Sequence, residues 1–122
     1  MSADCAVTAP VAERPPDDPR ASTFQGSGTW YANQERTLWA AWLGQTAAGD
    51  YKVLWVRPAG GAGGITITGR RIDGGEGNLT AHIPCCYPWT FQATGVGFSR
   101  AGCWEVQGRT EQDSLKFVVK IP

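Results

Sequence analysis

The chain has 122 residues, and 11 Lys and Arg balance 11 Asp and Glu, so its formal net charge is zero. That length suits one domain, and the charge balance excludes a general attraction to nucleic acid or to an anionic membrane. Six Trp, three Tyr and four Phe supply too much buriable aromatic surface for a disordered chain, while 16 Gly and 8 Pro without a period exclude collagen.

Residues 1–22 read as a tail, because Pro10, Pro15, Pro16 and Pro19 deny backbone donors and Asp17, Asp18 and Arg20 favour water. Cys5–Thr8 is the exception, since it would add an edge strand if Cys5 were bridged to the body. Met1–Cys5 has neither the basic start nor the apolar core of a signal peptide. No run approaches the roughly 18 consecutive apolar residues of a membrane helix.

Residues 23–122 read as a single β domain of short apolar stretches divided by turns. Gly28–Asn33 and Thr37–Leu43 come first, the second with a competing helical spacing at Leu38, Ala41 and Trp42. Tyr51–Arg57 has one apolar face and a second that is partly apolar, as in a strand covered on both sides or an edge that meets another loop. Pro58–Gly64 breaks the chain, and Ile65–Thr68 opens the next strand, followed by a turn at Asp73–Asn78. Leu79, Ala81 and Ile83 then share a face, and Thr90–Phe98 follows Pro88. Trp104 and Val106 alternate with Glu105 and Gln107, and Leu115, Phe117, Val119 and Ile121 alternate with Lys116, Val118 and Lys120. The period of two predicts a terminal hairpin, and seven to nine such strands predict an antiparallel sandwich or barrel.

Cys5, Cys85, Cys86 and Cys103 are separated in a way that favours disulfides over a zinc knuckle, and four cysteines allow three complete pairings. Disulfides imply an oxidising compartment. The competing reading is a metal or redox site, in which His82, Cys85, Cys86 and Cys103 form a soft-ligand set for copper or zinc. Strand alternation sets His82 outward, away from Ala81 and Ile83.

The Gly60–Gly64 run lacks the GxxxxGK[ST] pattern and a following helix, so it reads as a hairpin loop rather than a phosphate cradle. Ser99, Ser114 and His82 carry no nucleophile-elbow context, and Asp73 and Glu76 share a glycine-rich loop that fixes no carboxylate spacing. No enzyme and no cofactor is expected. Arg70 and Arg71 invite a carboxylate, sulfate or phosphate, against local pairing with Asp73 and Glu76. Trp39 and Trp42 cannot both face inward from one regular strand, and Tyr87 and Trp89 follow Pro84. These four are the candidate contacts for a protein or carbohydrate partner. Asn78-Leu79-Thr80 matches the N-glycosylation acceptor pattern.

Ile67-Thr-Gly-Arg-Arg-Ile-Asp-Gly74, Ala81-His-Ile-Pro84, Phe91-Gln-Ala-Thr-Gly-Val-Gly-Phe98, Gly102-Cys-Trp-Glu-Val-Gln-Gly-Arg109 and Ser114-Leu-Lys-Phe-Val-Val119 resemble an uncharacterised group of small bacterial secreted proteins and lipoproteins. Its usual ending is similar to GCWEVTGR…SLTFVV. The resemblance covers residues 51–121, and Cys5-Ala-Val-Thr8 is similar to the CPVT near the mature start of such chains. It implies an immunoglobulin-like sandwich, an extracellular or envelope location, and a Cys5–Cys103 bridge. Cys85-Cys86 departs from the group, where a Gly-Tyr-like turn is usual. The combined expectation is a non-enzymatic structural or interaction module.

Overall fold

The alternation of the last strand becomes a buried face. In the computed structural model, which describes residues 5–13, 29–46, 49–57, 64–84 and 91–122, Leu115, Phe117, Val119 and Ile121 are buried while Lys116 and Lys120 face water. Eight strands form among those residues: β1 (Thr29–Ala32), β2 (Trp39–Gln45), β3 (Tyr51–Val56), β4 (Thr66–Arg71), β5 (Leu79–His82), β6 (Phe91–Phe98), β7 (Gly102–Arg109) and β8 (Ser114–Ile121). The competing helical spacing at Leu38–Trp42 loses because β2 finds an antiparallel partner on each side, β1 and β3.

Two antiparallel sheets result, ordered β1-β2-β3-β6-β5 and β4-β7-β8. β3 and β4 lie in different sheets, so the link carrying Gly60–Gly64 crosses between layers. The hairpin-loop expectation is corrected on that point: β3 pairs with β2 and β6, never with β4. Residues 58–63 themselves lie outside the described residues.

The core fills the space between the sheets. Tyr31, Val53, Trp55 and Val96 of the larger sheet meet Ile67, Trp104, Val106 and Phe117 of the smaller. Tyr31 stacks on Phe117 with ring centres 4.4 Å apart, and burial pushes its phenol pKa upward. The Trp55 ring occupies the space that a side chain at Gly108 would need. Its Nε1–H donates to the Thr94 hydroxyl at 3.1 Å, and that hydroxyl donates to the Val53 carbonyl at 2.9 Å. The buried polar groups are thereby satisfied in series.

Both open sides of the sandwich are closed. On one side β4 meets β5, with Leu79 lying over Gly69. On the other, residues 5–13 form a strap. Cys5 is disulfide-bonded to Cys103 of β7, the pairing that the resemblance implies. The Thr8 N–H donates to the Val118 carbonyl at 3.0 Å, and the Val118 N–H donates to the Thr8 hydroxyl at 2.7 Å. Further on, the Val11 N–H donates to the Trp30 carbonyl at 2.9 Å, and Glu13 holds Arg36 through two contacts of 3.1 and 3.2 Å. The segment therefore runs from β8 to β1, the free edges of the two sheets. Cys5–Thr8 is tied as anticipated, but its few bonds make it a strap rather than a ninth strand.

Around β1, β2 and the end of β3 the larger sheet is buried on both faces. Leu38, Ala40 and Trp42 point into the main core, whereas Trp30, Trp39, Ala41, Leu54 and Val56 form a second cluster on the opposite face, against which Val11 of the strap packs. At one end of the sandwich the Thr37 hydroxyl donates to Asp113 at 2.8 Å, joining the β1–β2 turn to the β7–β8 turn.

An aromatic cleft as the candidate functional site

The other end of the sandwich carries the candidate site, and a β-bulge shapes it. Trp42 pairs with Val53 but Gly44 pairs with Lys52, so Leu43 is an extra residue in β2. Gly44 takes a φ of 105°, a backbone conformation open to glycine and strained for other residues. Regular alternation would send Gln45 to the outer face with Ala41 and Leu43. The bulge instead sets it opposite Tyr51, on the inner side. The turn is closed by the Thr46 N–H donating to the Asp50 carbonyl at 2.6 Å and the Gln45 amide donating to the Gly49 carbonyl at 2.8 Å.

The β6–β7 link supplies the facing wall. The Ser99 N–H donates to the Asn78 carbonyl at 3.0 Å, while the Ser99 hydroxyl accepts the Asn78 N–H at 2.7 Å. The Trp104 indole donates to the Arg100 carbonyl at 3.0 Å, so the loop is anchored from the core. A run of aromatic rings leads outward from there: Trp104 to Phe98 at 5.0 Å, Phe98 to Tyr51 at 5.8 Å and Tyr51 to Trp42 at 5.1 Å. Trp104 is fully buried, whereas Phe98, Tyr51 and Trp42 are half-buried.

Tyr51 and Phe98 open onto a cleft of about 220 Å³ that is also lined by Gln45, Ser99, Arg100 and Pro122. This is below the ~300–1,000 Å³ of drug-sized sites, and it suits one ring or side chain rather than a dinucleotide. Ring surface lies beside an amide, a hydroxyl and a guanidinium. Among the described residues no side-chain carboxylate, imidazole or thiol lines it.

The residues singled out from sequence are dispersed. Trp39 is only 2% exposed, on the outer face of the larger sheet, where Arg36 lies 5.9 Å above its ring and its indole donates to the Arg36 carbonyl at 3.0 Å. As a contact residue it is therefore corrected. Trp42 backs the cleft through Tyr51. Tyr87, Trp89, Cys85 and Cys86 lie outside the described residues. His82 is exposed on the edge strand β5, as its parity anticipates.

The four-residue metal set is corrected as well, because the sulfur of Cys103 is bonded to Cys5 and is no longer a thiolate ligand. Among the described residues no three His, Cys, Asp or Glu side chains converge as a metal site.

Arg70 and Arg71 are successive strand residues and leave β4 on opposite faces, so they do not grip one anion. Arg70 pairs with Glu105 at 3.0 Å. Arg71 pairs with Asp73 at 3.1 Å and donates to the Glu76 carbonyl at 3.0 Å. Asp73 also accepts the Cys103 N–H at 3.1 Å. The Arg71 guanidinium first, and the Cys103 amide second, hold the Asp73 carboxyl below the ordinary carboxylate range.

Sequence reasoning did not single out Tyr51, Phe98, Gln45 or Arg100. A usable signal was present, since Tyr51 opens a strand and Phe98 closes one, each beside a polar, glycine-containing turn. No protein-family model matches the chain, and neither a curated protein nor a solved structure matches it.

Proposed function

We propose that this protein is a non-enzymatic recognition module that holds a carbohydrate ring in the cleft beside Tyr51 and Phe98. The observation that carries the reading is the run of rings from Trp104 to Trp42, which comes to the surface where Gln45, Ser99 and Arg100 converge. An aromatic face packs against the C–H surface of a sugar, while amide, hydroxyl and guanidinium groups meet its hydroxyls. The described lining residues offer side-chain amide, hydroxyl and guanidinium groups but no side-chain carboxylate, imidazole or thiol, which favours binding over bond breaking.

The scaffold belongs to the same proposal. With β1 set aside, the orders β2-β3-β6-β5 and β4-β7-β8 follow the ABED and CFG connectivity of a constant-type immunoglobulin sandwich. This supports an immunoglobulin-like fold in which a rigid body presents its end loops. The Cys5–Cys103 disulfide supports an exported protein in an oxidising compartment.

The test is NMR titration of the full chain with glucose, galactose, N-acetylglucosamine and their short β-linked oligomers. The expected result is saturable shifts at Tyr51, Phe98, Ser99 and Arg100, reduced in Arg100→Ala. Absence of shifts with every sugar, or shifts centred elsewhere, overturns the reading.

A further inference from the structure

The outer face of the smaller sheet presents a different chemistry from the cleft. Alternation along β4, β7 and β8 turns Thr66, Thr68 and Arg70, then Glu105, Gln107 and Arg109, then Ser114, Lys116, Val118 and Lys120 to that side. The register lines them up in rows: Thr66 beside Arg109 beside Ser114, Thr68 beside Gln107 beside Lys116, and Arg70 beside Glu105 beside Val118. Among the described residues four cations on these strands thus share a face with one carboxylate, Glu105, and Arg70 engages it at 3.0 Å. Arg109, Lys116 and Lys120 are exposed. In a chain of zero net charge, this is a concentrated patch of one sign.

The face is also hollowed. A depression of about 370 Å³ crosses Thr68, Arg70, Glu105, Gln107 and Lys116. A second, of about 430 Å³, continues along the strands over Thr66 and Arg109 and ends at Glu111, a carboxylate on the β7–β8 turn. Alternate residues on a strand are ~7 Å apart and neighbouring strands ~5 Å apart. The cations therefore form an open lattice, with the hydroxyls of Thr66, Thr68 and Ser114 and the amide of Gln107 set between them.

From this we propose that the outer face of β4, β7 and β8 binds an acidic polysaccharide. Arg109, Lys116 and Lys120 would meet its carboxylate or sulfate groups, and the Thr, Ser and Gln side chains its hydroxyls. The charge pattern selects a polyanion. Among the described residues the face carries no aromatic ring, the stacking platform that single-stranded nucleic acid uses, and a three-stranded sheet offers no element to enter a duplex groove. Among the described residues its apolar groups are Val118 and the Cys5–Cys103 disulfide, too little for a hydrophobic protein interface. The proposal stands without the aromatic cleft, which lies at the end of the sandwich and has its own lining.

The test is isothermal titration of the full chain with polygalacturonate and heparin, which separate carboxylate from sulfate recognition, alongside neutral dextran and poly(dT). The expected result is binding to at least one acidic polysaccharide, weakened by salt, with none to dextran and much weaker binding to poly(dT). The triple variant Arg109→Gln, Lys116→Gln, Lys120→Gln is expected to lose about tenfold or more of that affinity with an unchanged melting temperature. Arg100→Ala, in the cleft, is expected to leave it intact. Failure to bind either acidic polymer, equal binding to poly(dT), or full affinity in the folded triple variant overturns the proposal.

Discussion

The indole of Trp55 in β3 lies against the backbone of Gly108 in β7, in the volume a methyl group there would claim. The two residues belong to different sheets, so their contact sets the spacing of the layers at that point. Gly108→Ala forces the sheets apart or displaces the ring, at a cost of about 1–3 kcal/mol. Urea denaturation reads that loss as a lower midpoint. Pairing Gly108→Ala with Trp55→Leu is expected to cost less than the sum of the two single changes, because the smaller side chain vacates the contested space.

Gly44 tests a different physical cause. Nothing stands near the position of its missing side chain, yet its φ of 105° strains any other residue. Gly44→Ala is expected to destabilise by about 1–2 kcal/mol through backbone strain alone. Gly64 also has open space around it, without the positive φ, so Gly64→Ala is expected to change stability by less than about 0.5 kcal/mol. Thermal melts of the two variants side by side check the contrast.

Removing the Cys5–Cys103 bond by Cys5→Ser with Cys103→Ser is expected to cost about 2–5 kcal/mol. The loss should be concentrated at the strap, since Thr8 and Val118 exchange two hydrogen bonds across it. Hydrogen exchange is the direct readout: the Thr8 and Val118 amides lose protection more than those in the centre of β3.

Stability has a pH edge on each side. Asp73 has a depressed carboxyl pKa in the folded state, from Arg71 and then the Cys103 amide. Its contribution is present above the unfolded carboxylate pKa of about 3.9 and is lost as pH falls through the folded value. Tyr31 is raised by burial, so its effect is absent below the unfolded phenol pKa of about 10, and stability declines as pH rises through the folded value. Denaturant midpoints measured across pH should flatten on the acid side in Asp73→Asn and on the alkaline side in Tyr31→Phe.

Much of the sandwich was legible in local pattern. The period of two in Leu115–Ile121 places four side chains in the core, and the parity of Arg70 and Arg71 separates them onto opposite faces. Trp39 and Trp42 illustrate the limit. Their spacing forbids a common inward orientation, but nothing local indicates that Trp39 is covered on the outer face, where Val11 reaches the same cluster from a distant segment. The cleft depends on a bulge that one glycine permits and on two loops brought together by topology. A reading along the chain holds neither of those facts.

The strap gives the fold an order in time. Cys5 is joined to a residue 98 positions later, and Thr8 bonds to the strand that ends at Ile121. Cys5 and Thr8 thus have no partners until β7 and β8 have been made, whereas Val11 meets Trp30 of β1 only 19 positions along the chain. Sealing of the β8 edge must therefore follow the making of that strand, and oxidation of the Cys5–Cys103 pair turns it from transient into lasting.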